Sequence, residues 1–112
     1  MSDWCRIRPA TEAEVRAERL ANPTGLWIQV ALDLDERTVA RAARRLWGPP
    51  VRSGSEGEWL WRLWDDDLGI PVYIAIGLLP PAVLLSGGMM PGEGEDERLR
   101  DVVRGMLLGT AG

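Results

Sequence analysis

The chain has no histidine, no lysine and no phenylalanine, and a single cysteine, in 112 residues. Without histidine, and with a lone thiol at Cys5, neither a zinc set nor an internal disulfide can be assembled, and no serine has an imidazole to activate it. Without lysine, Schiff-base and phosphate-loop lysines are excluded as well. All 13 basic residues are arginine, a bias that a GC-rich genome explains without any appeal to function. The first ten positions, with Asp3, Arg6, Arg8 and Pro9, lack the apolar stretch that a secretory signal needs, and no such leader is expected. The chain is therefore expected to be cytoplasmic, with Cys5 reduced.

Charge is absent from Leu68 to Gly92, a run long enough on paper to cross a bilayer. Pro71, Pro80, Pro81 and Pro91 divide it, as do Gly69, Gly77, Gly87 and Gly88, and carboxylates rather than arginines flank it. The segment reads as two buried strands joined at Pro80-Pro81, and no membrane contact is expected.

What is present is an ordinary globular inventory, 46% hydrophobic and 27% charged, with net charge −4. One domain over residues 1–112 accounts for that length. Residues 1–10 are expected to fray and residues 87–95 to form a mobile loop. Thr11 followed by Glu14 is a capping box that starts a helix running to about Ala21, with a thin apolar stripe of Val15, Ala17 and Leu20. Leu26 to Asp33 alternates as a strand. Asp35 caps a second helix carrying Val39, Ala43, Leu46 and Trp47 up to Gly48-Pro49-Pro50. A polar loop from Arg52 to Gly57 leads to strands over Trp59–Asp65, Ile70–Gly77 and Ala82–Ser86. A last helix begins near Asp96 and stops at Gly109. The pattern predicts an α+β fold in the order α-β-α-β-β-β-α. Its mainly antiparallel sheet has about four strands, with at least the last two helices on its aliphatic face. A right-handed crossover through the second helix is the expected link between the first two strands.

Three of the six tryptophans lie in Trp59-Leu60-Trp61-Arg62-Leu63-Trp64. If Asp66–Gly69 forms the hairpin loop, Trp59, Trp61 and Leu63 face Ile76, Ile74 and Val72 on a core side. Leu60, Arg62 and Trp64 then face Ala75, Tyr73 and Pro71 on the other, with the Arg62 guanidinium over the Tyr73 ring. The strand from Leu26 repeats the division, putting Trp27, Gln29 and Asp33 on its second side. A face built from Trp27, Gln29, Arg62, Trp64 and Tyr73 has the composition of an interaction surface. It serves equally as filler if a helix lies across it.

The carboxylate clusters say less. Asp33-Leu34-Asp35-Glu36, at a strand end, resembles the first motif of haloacid dehalogenase-like phosphatases, although Thr38 falls one residue late. Ile28 to Asp35 is similar to the first strand of orotidine-decarboxylase-like barrels. Both families need a lysine and a longer chain, so a strand end and helix cap is the reading kept. Asp65-Asp66-Asp67 suits a turn. Arg37, Arg41, Arg44 and Arg45 line one side of the second helix, but the acidic balance of the chain argues against nucleic acid. No catalytic residue, metal set or cofactor is assigned, and no enzyme is expected.

The expected function is a non-catalytic protein–protein interaction module, of the kind a small acidic bacterial immunity or adaptor protein represents. Its partner would be another protein, one of basic character steered in by Asp65–Asp67 and Glu93–Asp101. The alternative is a small-molecule-binding domain with the same aromatic face as its pocket. Homo-oligomerisation through residues 70–85 is a third reading.

Overall fold

The computed structural model describes residues 6–53, 57–77 and 80–111. In chain order these form β1 (Ile7–Pro9), α1 (Glu12–Ala21), β2 (Trp27–Ala31), α2 (Glu36–Trp47), β3 (Val51–Ser53), β4 (Glu58–Asp65), β5 (Ile70–Ile76), β6 (Ala82–Ser86) and α3 (Glu95–Ala111). One antiparallel sheet runs β1-β4-β5-β6-β2, and β3 shares the outer side of β4 with β1. The α+β class and the expected element order are present, with six strands where about four were expected. The two extra strands are three residues each, too short to show a period of two. β1 falls within the segment expected to fray, and β3 runs into the start of the polar loop expected from Arg52. The thiol of Cys5 lies outside the described residues.

The hairpin explains why the sheet has two different faces. Asp66–Gly69 closes β4 onto β5, with Gly69 at φ +67°, a left-handed value that glycine adopts without a Cβ clash. Four loop residues set the register Asp65↔Ile70, Leu63↔Val72, Trp61↔Ile74 and Trp59↔Ile76 on one face. Trp64↔Pro71, Arg62↔Tyr73 and Leu60↔Ala75 fall on the other. The pairing is the one parity requires, residue for residue. Pro71, lacking an N–H, lies outside the Tyr73–Ala75 stretch of β5 that pairs with β6.

α2 and α3 cover the aliphatic face. Val39, Ala42 and Ala43 from α2, and Leu99, Val103, Met106 and Leu107 from α3, join Trp61, Leu63, Val72, Ile74, Val83 and Leu85 in one core. Trp61 is sealed into it, its indole N–H donating to the Gly48 carbonyl at 2.9 Å, while Trp59, at the strand end, stays 40% exposed. α2 is capped by Asp35, whose carboxylate accepts from the Thr38 amide and hydroxyl. These bonds hold the Asp35 carboxyl below its ordinary pKa. Asp33, at φ +55°, turns the chain out of β2 toward that cap. α3 runs through Gly109 to Ala111, so this glycine is not a stop.

Two further expectations need correction. β2 and β4 are separated by β5 and β6 in an all-antiparallel order and so run opposite ways. The link through α2 is therefore no parallel crossover, and the handedness rule does not apply to it. Within the segment 70–85, every residue of β5 is buried between β4 and β6, and β6 in turn is covered by β2. The two strands of that charge-free stretch are apolar because they are sheet interior, and β5 and β6 themselves offer little surface for self-association.

No helix among the described residues is long and apolar enough to cross a membrane.

Candidate functional site

α1 lies on the second face of the sheet. Its capping box forms as expected, with the Glu14 amide on Thr11 Oγ1 at 3.2 Å and the Thr11 amide on the Glu14 carboxylate at 2.9 Å. The side it turns inward differs from the expected stripe. Leu20 is 78% exposed, whereas Glu18 is 4% exposed and takes a hydrogen bond from the buried Ser86 hydroxyl at 3.0 Å. Helical spacing puts Val15, Glu18 and Asn22 on one side, and Asn22 continues the attachment through both its amide groups to the Leu26 backbone. The Glu18–Ser86 bond fixes the helix over β6. At its far end α1 packs so closely on the Gly87-Gly88 turn that a Cβ on Gly88 would land on the Ala21 carbonyl oxygen.

The helix leaves part of the face open. Between α1 and the sheet lies a recess of about 530 Å³, lined by Trp27, Gln29, Arg62, Tyr73, Leu84, Leu60 and Glu58, by Val15, Glu18 and Arg19 of α1, and by Asn22, Pro23 and Gly25 just after it. A second groove of about 570 Å³ continues past Arg62 and Arg19 toward Arg16, Trp47 and Pro49. Four of the five residues expected to form the site therefore converge on one recess. Trp64 does not: it sits farther along β4, opposite Arg8 and Pro71, and lines neither groove.

Within the recess the aromatic contact differs from the expected one. Tyr73 stacks on Trp27, with ring centroids 4.6 Å apart and an interplanar angle of 28°, a pair worth about 0.5–1.5 kcal/mol beyond its buried area. Tyr73 is only 3% exposed, and its hydroxyl is buried with no hydrogen-bond partner among the described residues. Burial, with the Glu18 carboxylate nearby, raises its pKa, against the smaller opposing pull of Arg62 and Arg19. Tyr73 thus backs Trp27 rather than offering its own tip. Arg62, freed from that ring, is half-buried, and its guanidinium has no hydrogen bond or ion pair among the described residues.

Most other charges near the sheet are satisfied. Arg6 grips the buried Asp65 carboxylate in a fork at 2.8 and 3.1 Å. Arg8 bridges Glu14 on α1 and Asp66 on the hairpin. The Asp65–Asp67 cluster is thus largely neutralised by its own chain, which weakens the expectation that it steers a basic partner. No three-residue metal cluster of the usual ligand types occurs among the described residues. Arg37, Arg41 and Arg45 of α2 line a smaller polar recess of about 290 Å³ with Asp35 and Thr110.

Glu18, Arg19 and Asn22 are recess residues that sequence reasoning missed. Their spacing was visible, but a helix side bearing a carboxylate and an amide reads as solvent-facing.

Comparison with protein-family models, with curated proteins and with solved structures finds no match for this chain.

Proposed function

We propose that this chain is a non-catalytic interaction module that binds another protein through the recess between α1 and the second face of the sheet. The observation that carries the reading is Arg62. A half-buried guanidinium with no acceptor among the described residues sits in an open groove, beside an indole already stacked and oriented by Tyr73. Removing part of a guanidinium's hydration without supplying an acceptor is costly, and an incoming carboxylate or backbone carbonyl recovers that cost on binding. Trp27 and Gln29 flank the position, one presenting a flat apolar surface and the other a two-way hydrogen-bonding amide.

A small-molecule ligand is the second reading. It is favoured by the recess volume of about 530 Å³, which lies in the range of small-molecule sites.

The test is affinity capture from native lysate with wild type, Arg62→Ala and Trp64→Ala side by side. A specific partner held by wild type and Trp64→Ala but lost by Arg62→Ala supports the recess. Equal recovery by all three overturns it. Intrinsic fluorescence then separates the readings, because a protein partner shields Trp27 from acrylamide, whereas a small ligand shifts its emission in purified protein.

A further inference from the structure

The two edges of the sheet are guarded very differently. Beside β4 the outer rank is split into two three-residue strands, one holding Arg8 and Pro9, the other following Pro49-Pro50 and holding Arg52. Short strands, proline and charge are the devices that keep an edge from pairing with another chain. β2, on the opposite edge, has none of them. It is five residues without interruption, and no charged residue occurs from Thr24 to Leu32.

Backbone parity identifies the groups left facing outward. In an antiparallel pair, residues alternate between those that exchange hydrogen bonds with their neighbour and those that turn the same groups away. The Leu32 amide donates to the Pro81 carbonyl at 3.0 Å, and the Gly87 amide donates to the Leu26 carbonyl at 2.8 Å. Even-numbered residues of this segment therefore face β6, and Trp27, Gln29 and Ala31 face the open edge. α3 closes only the far end, through Arg100 to the Ala31 carbonyl at 3.2 Å and Arg104 to the Leu32 carbonyl at 3.0 Å. The amides of Trp27, Gln29 and Ala31, and the carbonyls of Trp27 and Gln29, have no partner among the described residues. Beside them Leu26 and Ile28 are 63% and 40% exposed.

We propose that β2 pairs antiparallel with β2 of a second copy, Gln29 opposite Gln29, joining the two sheets into one. The register is self-complementary. The two Gln29 residues exchange both backbone hydrogen bonds on the two-fold axis and each Ala31 amide reaches the Trp27 carbonyl of the other copy, while Ile28 falls opposite Val30 on the aliphatic face. A charge-free strand meets its own copy without opposing like charges, the arrangement a closed two-fold interface requires. With the axis normal to the sheet, both Arg62 recesses open on the same side, with the two Gln29 side chains between them. The dimer then offers a paired surface. The pairing stands on the edge alone and is independent of what the recess binds.

Sedimentation equilibrium across a concentration series tests it, with wild type, Gln29→Pro and Ile28→Lys. Proline at Gln29 removes an outward amide that the fold does not use, a placement edge strands tolerate. The expected result is a wild type of twice the monomer mass at high concentration. Both variants should show dimerisation weaker by at least about tenfold, with unchanged circular dichroism. Should the proline disturb the strand, the exposed Ile28→Lys position reads the same interface. A wild type that stays monomeric at its highest soluble concentration overturns the proposal. So does a dimer that a folded Gln29→Pro or Ile28→Lys variant retains with equal affinity.

Discussion

Arg62 and Asp65 stand three residues apart on one strand and show opposite solutions to burying charge. Asp65 is fully buried and answered in full, by both arms of the Arg6 guanidinium and by the Asp67 amide at 3.2 Å. Arg62 is partly withdrawn from water and answered by nothing among the described residues. The first is an interaction whose loss the fold must feel, because deleting one member of a buried pair strands the other. Asp65→Asn keeps the shape but removes the charge, and is expected to lower unfolding free energy by roughly 2–3 kcal/mol in urea denaturation. Arg62→Ala is expected to leave the midpoint almost unchanged in the same measurement, since no intramolecular bond is lost. A strongly destabilised Arg62→Ala would show that the residue serves the fold instead.

At the scale of elements, α1 decides whether the second face is a recess or a wall. It is held by Glu18 to Ser86, by Asn22 to the Leu26 backbone, and by Arg8, which ties Glu14 to the hairpin. The Arg8 bond, joined by the Thr11 amide, lowers the Glu14 pKa from 4.5 to about 2. Between those values the unfolded chain binds more protons than the folded one, so stability rises with pH across that window. The contribution is complete above about 4.5 and fades as pH falls toward about 2. The melting temperature of wild type should therefore exceed that of Glu14→Gln at pH 6, with the gap closing as the pH approaches that lower value. A gap that does not change with pH would remove the charge from the explanation. How α1 attaches was only half legible in the sequence. Its start was plain in the Thr11–Glu14 pair, because capping is local chemistry. Its buried side was not, because Glu18 is drawn inward by Ser86, a partner 68 positions away. β1 and β3 escaped for a related reason: three-residue strands exist only through their pairing with β4.

For the whole molecule, the sheet separates two tasks. α2 and α3 take most of one face and supply the main core, and α1 takes part of the other and leaves a groove. The division was readable from the Asp66–Gly69 loop and the alternation on either side of it, since loop length and parity together allow one register. Which residues would gather at the groove was readable for Trp27, Gln29, Arg62 and Tyr73. Trp64 shares their face but lies too far along β4, a distance that parity cannot express. The claim on which everything functional rests is that another molecule docks on the α1 side of the sheet. Hydrogen exchange of the protein alone and bound to its captured partner tests that most directly. New protection at residues 15–19, 27–29 and 60–62, with α2 and α3 unchanged, is the expected result. Protection confined to the outer surfaces of α2 and α3 would contradict it.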